Sequence, residues 1–193
     1  MLKKIIAALW ESSIHPKEIP VDTVFLLSGN LQEIGKDVTR FISAGKKVYV
    51  DIDFIAGLNP DSYGIRYLKS LGINGIITAK MYTYRQSQQA GVPALLRFFA
   101  LDSRAVEKGI EQILKNRIEA VEILPGIVAC KIAQRIRELV GNINIVAAGL
   151  IDSESEVRTL LRCVDAISTS KRKLWSCELP HLRESGASHF NQP

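Results

Sequence analysis

Short apolar runs alternate with amphipathic stretches along this 193-residue chain, a rhythm of roughly twenty residues that marks repeated strand–helix units. The runs predicted as strands are Ile5–Leu9, Thr23–Leu27, Lys47–Phe54, Gly75–Ala79, Ala94–Phe99, Ala120–Leu124, Ile143–Ala148 and Ala166–Thr169. Several are almost continuously apolar, as strands are when helices cover one face and side chains fill the other. The stretches between them carry helix signals. Asn30 is placed to cap a helix with Ile34, Val38, Phe41 and Ile42 on one face and Gly45 at its end. Asp61 precedes Ile65, Leu68 and Leu71, with Gly72 as the stop, and Asp102 precedes Val106, Ile110, Ile113 and Leu114. Pro125-Gly126 leads into a helix bearing Ile132, Ile136, Leu139 and Val140, closed by Gly141. Ser153 and Glu156 stand at capping-box spacing before Val157, Leu160 and Leu161. The first connection, 11–22, holds Pro16 and Pro20 and predicts only a short or irregular helix.

Eight such units with short crossovers predict an α/β fold, a compact (β/α)8 TIM barrel forming a single domain. An open, doubly wound sheet is the rival topology, but no Gly-x-Gly-x-x-Gly follows the first strand. The barrel is expected to occupy 1–175. The polar segment 176–193, with Pro180, Gly186 and scattered serines, reads as a flexible or loosely docked tail with no domain of its own.

Composition changes this picture little. The net charge of +5 permits an anionic ligand or nucleic acid without demanding either. Three cysteines, Cys130, Cys163 and Cys177, show no metal-ligand or redox spacing. Cys130 and Cys163 therefore read as buried thiols in a reducing cytoplasm. The apolar stretch after Met1-Leu2-Lys3-Lys4 ends at Trp10-Glu11, too soon for a signal sequence, and no run is long enough to span a membrane.

In a barrel of this kind the working residues lie at the carboxyl ends of the strands. Alternation in Val48-Tyr49-Val50-Asp51-Ile52-Asp53 sends the valines and Ile52 toward the helices, and Tyr49, Asp51 and Asp53 into the barrel. Glu122 stands opposite its apolar neighbours, Arg97 lies between Leu96 and Phe98, and Lys80 follows the fourth strand. This charged set has two readings: an ion-pair network plugging the lumen, or a mouth for a small polar ligand. Gly149 after the seventh strand and Ser168-Thr169-Ser170 at the eighth fit a phosphate cradle, which barrels often build from those two loops. His15, His181 and His189 lie in the first connection and the tail, so no histidine is placed for core acid–base or metal chemistry. No cofactor or metal site is expected, and no catalytic pair stands out.

Several segments together resemble a known family. They include Val24–Asn30, Lys46–Asp53 with Ala56-Gly57-Leu58, Gly75–Lys80, Arg97 through Asp102-Ser103, and Gly149-Leu150-Ile151. The most specific are Glu122-Ile123-Leu124-Pro125-Gly126 and Ser168-Thr169-Ser170 with Leu174-Trp175. Their order and spacing, from about Ile5 to Trp175, are similar to the glycerol uptake operon antiterminators. The resemblance implies a barrel that binds glycerol 3-phosphate as effector. It also implies binding to the leader mRNA of glycerol-utilisation genes, preventing premature termination. On that resemblance Gly126, Gly149, Ser168, Thr169 and Ser170 hold the phosphate, and Asp53, Lys80, Arg97 and Glu122 line the glycerol end. Ala148 stands where the family often has a second glycine, and Asp51 where a histidine is common.

The basic residues Lys131 and Arg135 on one helix, and Lys171, Arg172 and Lys173 after the last strand, are the candidates for RNA contact. On sequence alone they read as ordinary helix surface, interspersed with Glu138, Glu154 and Glu156, and no stacking motif is visible. The expected protein is cytoplasmic, non-enzymatic and free of membrane contact, with room for a homodimer. The alternative is a barrel enzyme of phosphodiesterase, isomerase or prenyltransferase type on a glycerol-phosphate-like substrate, with Asp53 or Glu122 as base or metal ligand.

Overall fold

A computed structural model describes residues 5–177; the predicted tail lies almost wholly outside the described residues. Eight parallel strands close into a barrel: β1 (Ile5–Leu9), β2 (Thr23–Leu26), β3 (Lys47–Asp51), β4 (Gly75–Thr78), β5 (Ala94–Phe99), β6 (Ala120–Leu124), β7 (Asn144–Ala148) and β8 (Ala166–Thr169). Each pairs with its neighbours in sequence order, and β1 closes the ring on β8 with Ile5 opposite Ile167. Six helices cover the outside: α1 (Ile34–Ser43), α2 (Ser62–Ser70), α3 (Met81–Gln89), α4 (Ser103–Asn116), α5 (Ala129–Val140) and α6 (Glu154–Leu160). The first connection forms a single 3-10 turn, Pro16–Glu18.

Alternation builds two separate cores. Outward residues such as Val24, Val48, Val50, Ile76, Ile123 and Ile145 pack with Val38, Phe41, Ile65, Leu68, Ile110 and Ile136 of the helices. Each side chain so buried contributes about 1.5–3 kcal/mol. Inward residues Ile6, Ala8, Phe25, Leu27, Ile77, Leu95, Val146 and Ala166 form a second cluster in the lumen. Tyr49 packs on Phe25 there, with ring centroids 5.5 Å apart.

The capping signals fix the helix starts. Asp61 Oδ1 accepts from the amides of Tyr63 (2.8 Å) and Gly64 (3.0 Å), and Asp102 Oδ1 from that of Ala105 (2.7 Å). Ser153 and Glu156 form a reciprocal capping box. Asn30 plays a different part from the predicted one. Its Oδ1 accepts from the amides of Gln32 and Glu33, making a turn that ends before α1 begins.

Two expectations are corrected. The third predicted strand stops at Asp51, and residues Ile52–Phe54 form a 3-10 turn. Beyond it, Ile55–Ala56 pairs with Gly29–Asn30 in a small separate parallel ladder over the mouth side of β2 and β3. Cys130 and Cys163, read as separate buried thiols, are joined in a disulfide. Their 33-residue separation in sequence hides the fact that α5 and the turn after α6 are adjacent, with Cα atoms 5.1 Å apart. The third cysteine, Cys177, is buried outside this bridge.

Candidate functional site

The lumen is apolar through most of its depth and turns polar toward the carboxyl ends of the strands. Register sets Arg97 of β5 beside Glu122 of β6. Arg97 Nε donates to Glu122 Oε2 at 2.7 Å, and its Nη1 donates to Asp51 Oδ2. All three groups are buried, Asp51 completely. Burial pushes the Asp51 carboxyl up to about 6; Arg97 opposes this, while Glu122 and Asp53 add to it. Burial likewise raises Glu122 against the pull of Arg97. Burial works against the charged guanidinium, but the two carboxylates prevail and hold Arg97 above its ordinary range. Two acids around one base leave a surplus negative charge in a dry place, and the raised carboxyls are the response.

Above this triad opens a cavity of about 420 Å3. Arg97 and Glu122 form its floor, with Ala8 and Leu27. One side is made by Ala148, Gly149, Leu150, Ile151 and Asp152 after β7, and by Ser168, Thr169, Ser170 and Lys171 at β8. The other side is aromatic: Trp10 follows β1, Phe54 closes the turn after β3, and Phe99 ends β5. A second cavity of about 440 Å3 opens at the opposite end of the barrel, beside Tyr49, Tyr84, Glu119 and Asn144, and none of the predicted site residues reaches it.

The loops after β7 and β8 are shaped for close approach. Gly149 and Leu150 both take left-handed backbone, at φ +76 and +56, a conformation that costs a non-glycine residue of order 1 kcal/mol or more. Among the described residues the backbone N–H groups of Leu150 and Ser170, just beyond the strand ends, meet no acceptor, which leaves them available to an anion. The Ser168 side chain is buried at the cavity wall. Thr169 is committed to the loop itself: its Oγ1 donates to Ile151 O (3.2 Å) and accepts from the Lys171 amide (3.2 Å). Trp175 Nε1 donates to Thr169 O at 2.8 Å and so ties the following turn to the same place. Lys171 Nζ meets Asp152 Oδ1 at 3.3 Å, joining the two loops across the rim.

Not every predicted residue reaches this cavity. Gly126 is buried, and its amide donates to Gly149 O at 2.9 Å. A side chain there would meet Ile151 at 2.9 Å and Gly149 O at 3.1 Å. Gly126 thus supports the loop after β7 from behind, outside the cavity lining. Asp53 was expected in the lumen; the turn at Ile52–Phe54 carries it sideways instead. Its carboxylate accepts from Thr78 Oγ1 (3.1 Å) and the Ala79 amide (2.8 Å), with Lys80 Nζ at 3.5 Å. Asp53 and Lys80 therefore bind each other and the loop after β4, outside the lining of the cavity. Lys131 and Arg135 are exposed on α5, and Lys131 lines a shallow groove with Cys130, Gln134, Arg137 and Cys163 on the outer wall. Lys171, Arg172 and Lys173 belong instead to the mouth, Arg172 and Lys173 in a 3-10 turn directly after it.

The aromatic wall escaped the sequence reading. Phe99 carried a signal, since it lies two positions beyond Arg97 on the same strand and so shares its face. Trp10 and Phe54 sit past the strand ends, where alternation says nothing. Among the described residues no cluster of His, Cys, Asp or Glu is arranged to hold a metal ion, and no helix is long and apolar enough to cross a membrane.

Comparison with known proteins agrees with this fold. Residues 5–175 match the sequence profile of the family described as "Glycerol-3-phosphate responsive antiterminator". The chain is similar to a glycerol uptake operon antiterminator-related protein of Thermotoga maritima, whose crystal structure covers 91% of this chain and 99% of that one. The identity is 46% and the TM-score 0.85. It is also similar to the glycerol uptake operon antiterminator regulatory protein of Listeria monocytogenes, at 27% identity and a TM-score of 0.83, over 92% of this chain and 97% of that one. Among curated proteins it matches the uncharacterized protein YgcP of Escherichia coli, 26% identical over 179 residues, which is 89% of this chain and 91% of the relative.

Proposed function

The chain belongs to the glycerol-3-phosphate responsive antiterminator family, and from that premise we propose that it is an effector-gated RNA-binding regulator. Glycerol 3-phosphate enters the mouth cavity, and the loaded protein binds leader mRNA of glycerol-utilisation genes in the cytoplasm and prevents early termination. The observation that carries this reading is the cavity itself: its wall holds two amide donors that meet no acceptor, those of Leu150 and Ser170, beside the Ser168 hydroxyl, and its floor is the charged pair Arg97 and Glu122. The phosphate sits against Gly149, Leu150, Ser168 and Ser170, with Lys171 at its edge. The glycerol hydroxyls point toward Arg97 and Glu122. Gly126, Thr169, Asp53 and Lys80 act one step removed, holding the loops in place. The working unit is a single effector-binding domain, 1–175, followed by the tail.

A sensor suits the side chains better than an enzyme. The buried carboxylates are engaged with Arg97 and Asp53 with its own loop, so none stands ready as a general base. A ligand gates such a protein only by binding one of its states more tightly than the other.

The test is thermal unfolding in the presence of glycerol 3-phosphate, glycerol, or inorganic phosphate. A hundredfold excess over the dissociation constant adds about 2.7 kcal/mol, or roughly 5–10 °C for a chain of this size. Glycerol 3-phosphate is expected to give that shift and glycerol alone none. No shift with millimolar glycerol 3-phosphate would sink the proposal.

A further inference from the structure

Three large aromatic side chains stand exposed around one opening. Trp10 is 56% exposed, Phe54 51% and Phe99 45%, and all three line the mouth cavity. Trp10 and Phe54 meet edge to face, with centroids 6.3 Å apart, and turn their remaining surface to solvent. A contiguous exposed patch of this kind marks a contact surface.

The charge beside it says which contact. Lys80 is matched by Asp53, and Lys171 by Asp152. Arg172 and Lys173, in the turn bound to Thr169 through Trp175, are exposed and have no acidic partner among the described residues. Flat rings next to uncompensated cations are what a flexible strand of bases and phosphates requires. An apolar protein partner uses the rings and leaves the cations desolvated without a mate.

We propose that single-stranded RNA lies across the mouth of the barrel, with bases stacked on Trp10, Phe54 and Phe99 and phosphates against Arg172 and Lys173. This rests on the RNA-binding reading above and adds where the strand binds. It moves the interface away from Lys131 and Arg135 on the outer wall. The same rings wall the effector cavity, so the two ligands meet shared side chains. Linkage then requires each to change the other's affinity by one common factor. Glu11, the exposed neighbour of Trp10, opposes the strand, and Glu11→Gln should tighten it.

The probe is a random-sequence single-stranded RNA pool enriched on the full chain with glycerol 3-phosphate present, followed by anisotropy titration of the enriched RNA. Each variant is measured at an effector concentration that saturates it, and its melting temperature checks the fold. Trp10→Ala and Phe54→Ala should each weaken RNA binding roughly tenfold or more, while Trp10→Phe keeps a ring and most of the affinity. Arg172→Gln and Lys173→Gln should each lower the slope of log affinity against log salt by about 0.7. Lys131→Gln with Arg135→Gln should change nothing.

Unchanged binding in the ring variants, or a loss confined to Lys131 and Arg135, overturns this inference and leaves the regulator reading standing. A ring-variant loss that vanishes at saturating effector also overturns it, since the rings then serve the effector alone. A dimer that Trp10→Ala dissolves without affecting RNA makes the rim a contact between copies, and overturns it too. Failure of the wild-type chain to enrich any RNA removes the RNA-binding reading itself.

Discussion

Asn at position 51 should make this protein less sensitive to pH and more stable at neutrality. The Asp51 carboxyl is fully buried beside Arg97 and Glu122, and its pKa is raised from 3.8 to about 6. The folded state therefore holds a proton on this group that the unfolded chain releases between roughly pH 4 and 6. Stability follows the difference in bound protons, so it falls as pH rises wherever the folded state binds more. The contribution of Asp51 is fully present below pH 3.8 and is lost as pH climbs through 6. Two units at about 1.4 kcal/mol each give a loss of about 3 kcal/mol. In Asp51→Asn the amide oxygen still accepts from Arg97, the guanidinium is matched one to one by Glu122, and this titration is gone. The measurement is urea unfolding of both proteins at several pH values from 4.5 to 7.5. At pH 4.5, where the unfolded carboxyl is already mostly ionised, the variant should lead by only about 1 kcal/mol. At the upper end the variant should lead by about 3 kcal/mol. Curves that run parallel across the window, or a variant that falls further behind as pH rises, would refute the assignment of a proton to this buried carboxyl.

Other consequences can be measured separately. The Cys130–Cys163 bridge closes a loop of 33 residues, which in the chain-entropy account contributes about 4 kcal/mol. Denatured, unreduced protein should titrate one thiol and reduced protein three, with a matching fall in stability. Gly126→Ala places a methyl group 2.9 Å from Ile151 and 3.1 Å from Gly149 O. It should displace the cradle and weaken glycerol 3-phosphate binding about tenfold in calorimetry, an effect of about 1.4 kcal/mol. Asp102→Ala removes the acceptor that caps α4 and should cost about 1 kcal/mol in denaturant unfolding, with effector affinity unchanged.

The barrel was legible in the sequence because each level of pattern agreed. The predicted runs Ile5–Leu9, Ala94–Phe99, Ala120–Leu124 and Ala166–Thr169 coincide with strands, and Asp61, Asp102 and Ser153 cap the helices they were expected to cap. Arg97 and Glu122 were placed at the mouth because alternation holds inside a strand. Asp53 was misplaced because alternation holds only there. The pairing of β2 with β3 reaches Leu26 and Val50, and past Asp51 the chain bends into a turn that redirects the next side chain. The disulfide left no trace in local spacing, because it depends on which helices become neighbours. The aromatic wall was hidden for a related reason: two of its three rings sit on loops, and their convergence is a property of the closed ring.

That closure runs between the beginning and the end of the described chain. β1 must pair with β8, Ile5 with Ile167, and part of the mouth cavity's wall, the proposed anion cradle, lies on β8 and the turn after it. During synthesis the first strand therefore waits for the last, and contacts so distant in sequence form late. Until residue 175 has left the ribosome, Trp175 cannot fasten Thr169 and the cradle has only one wall. On the function proposed above, a nascent chain is blind to glycerol 3-phosphate, and only a molecule whose translation has already passed the barrel can respond to it.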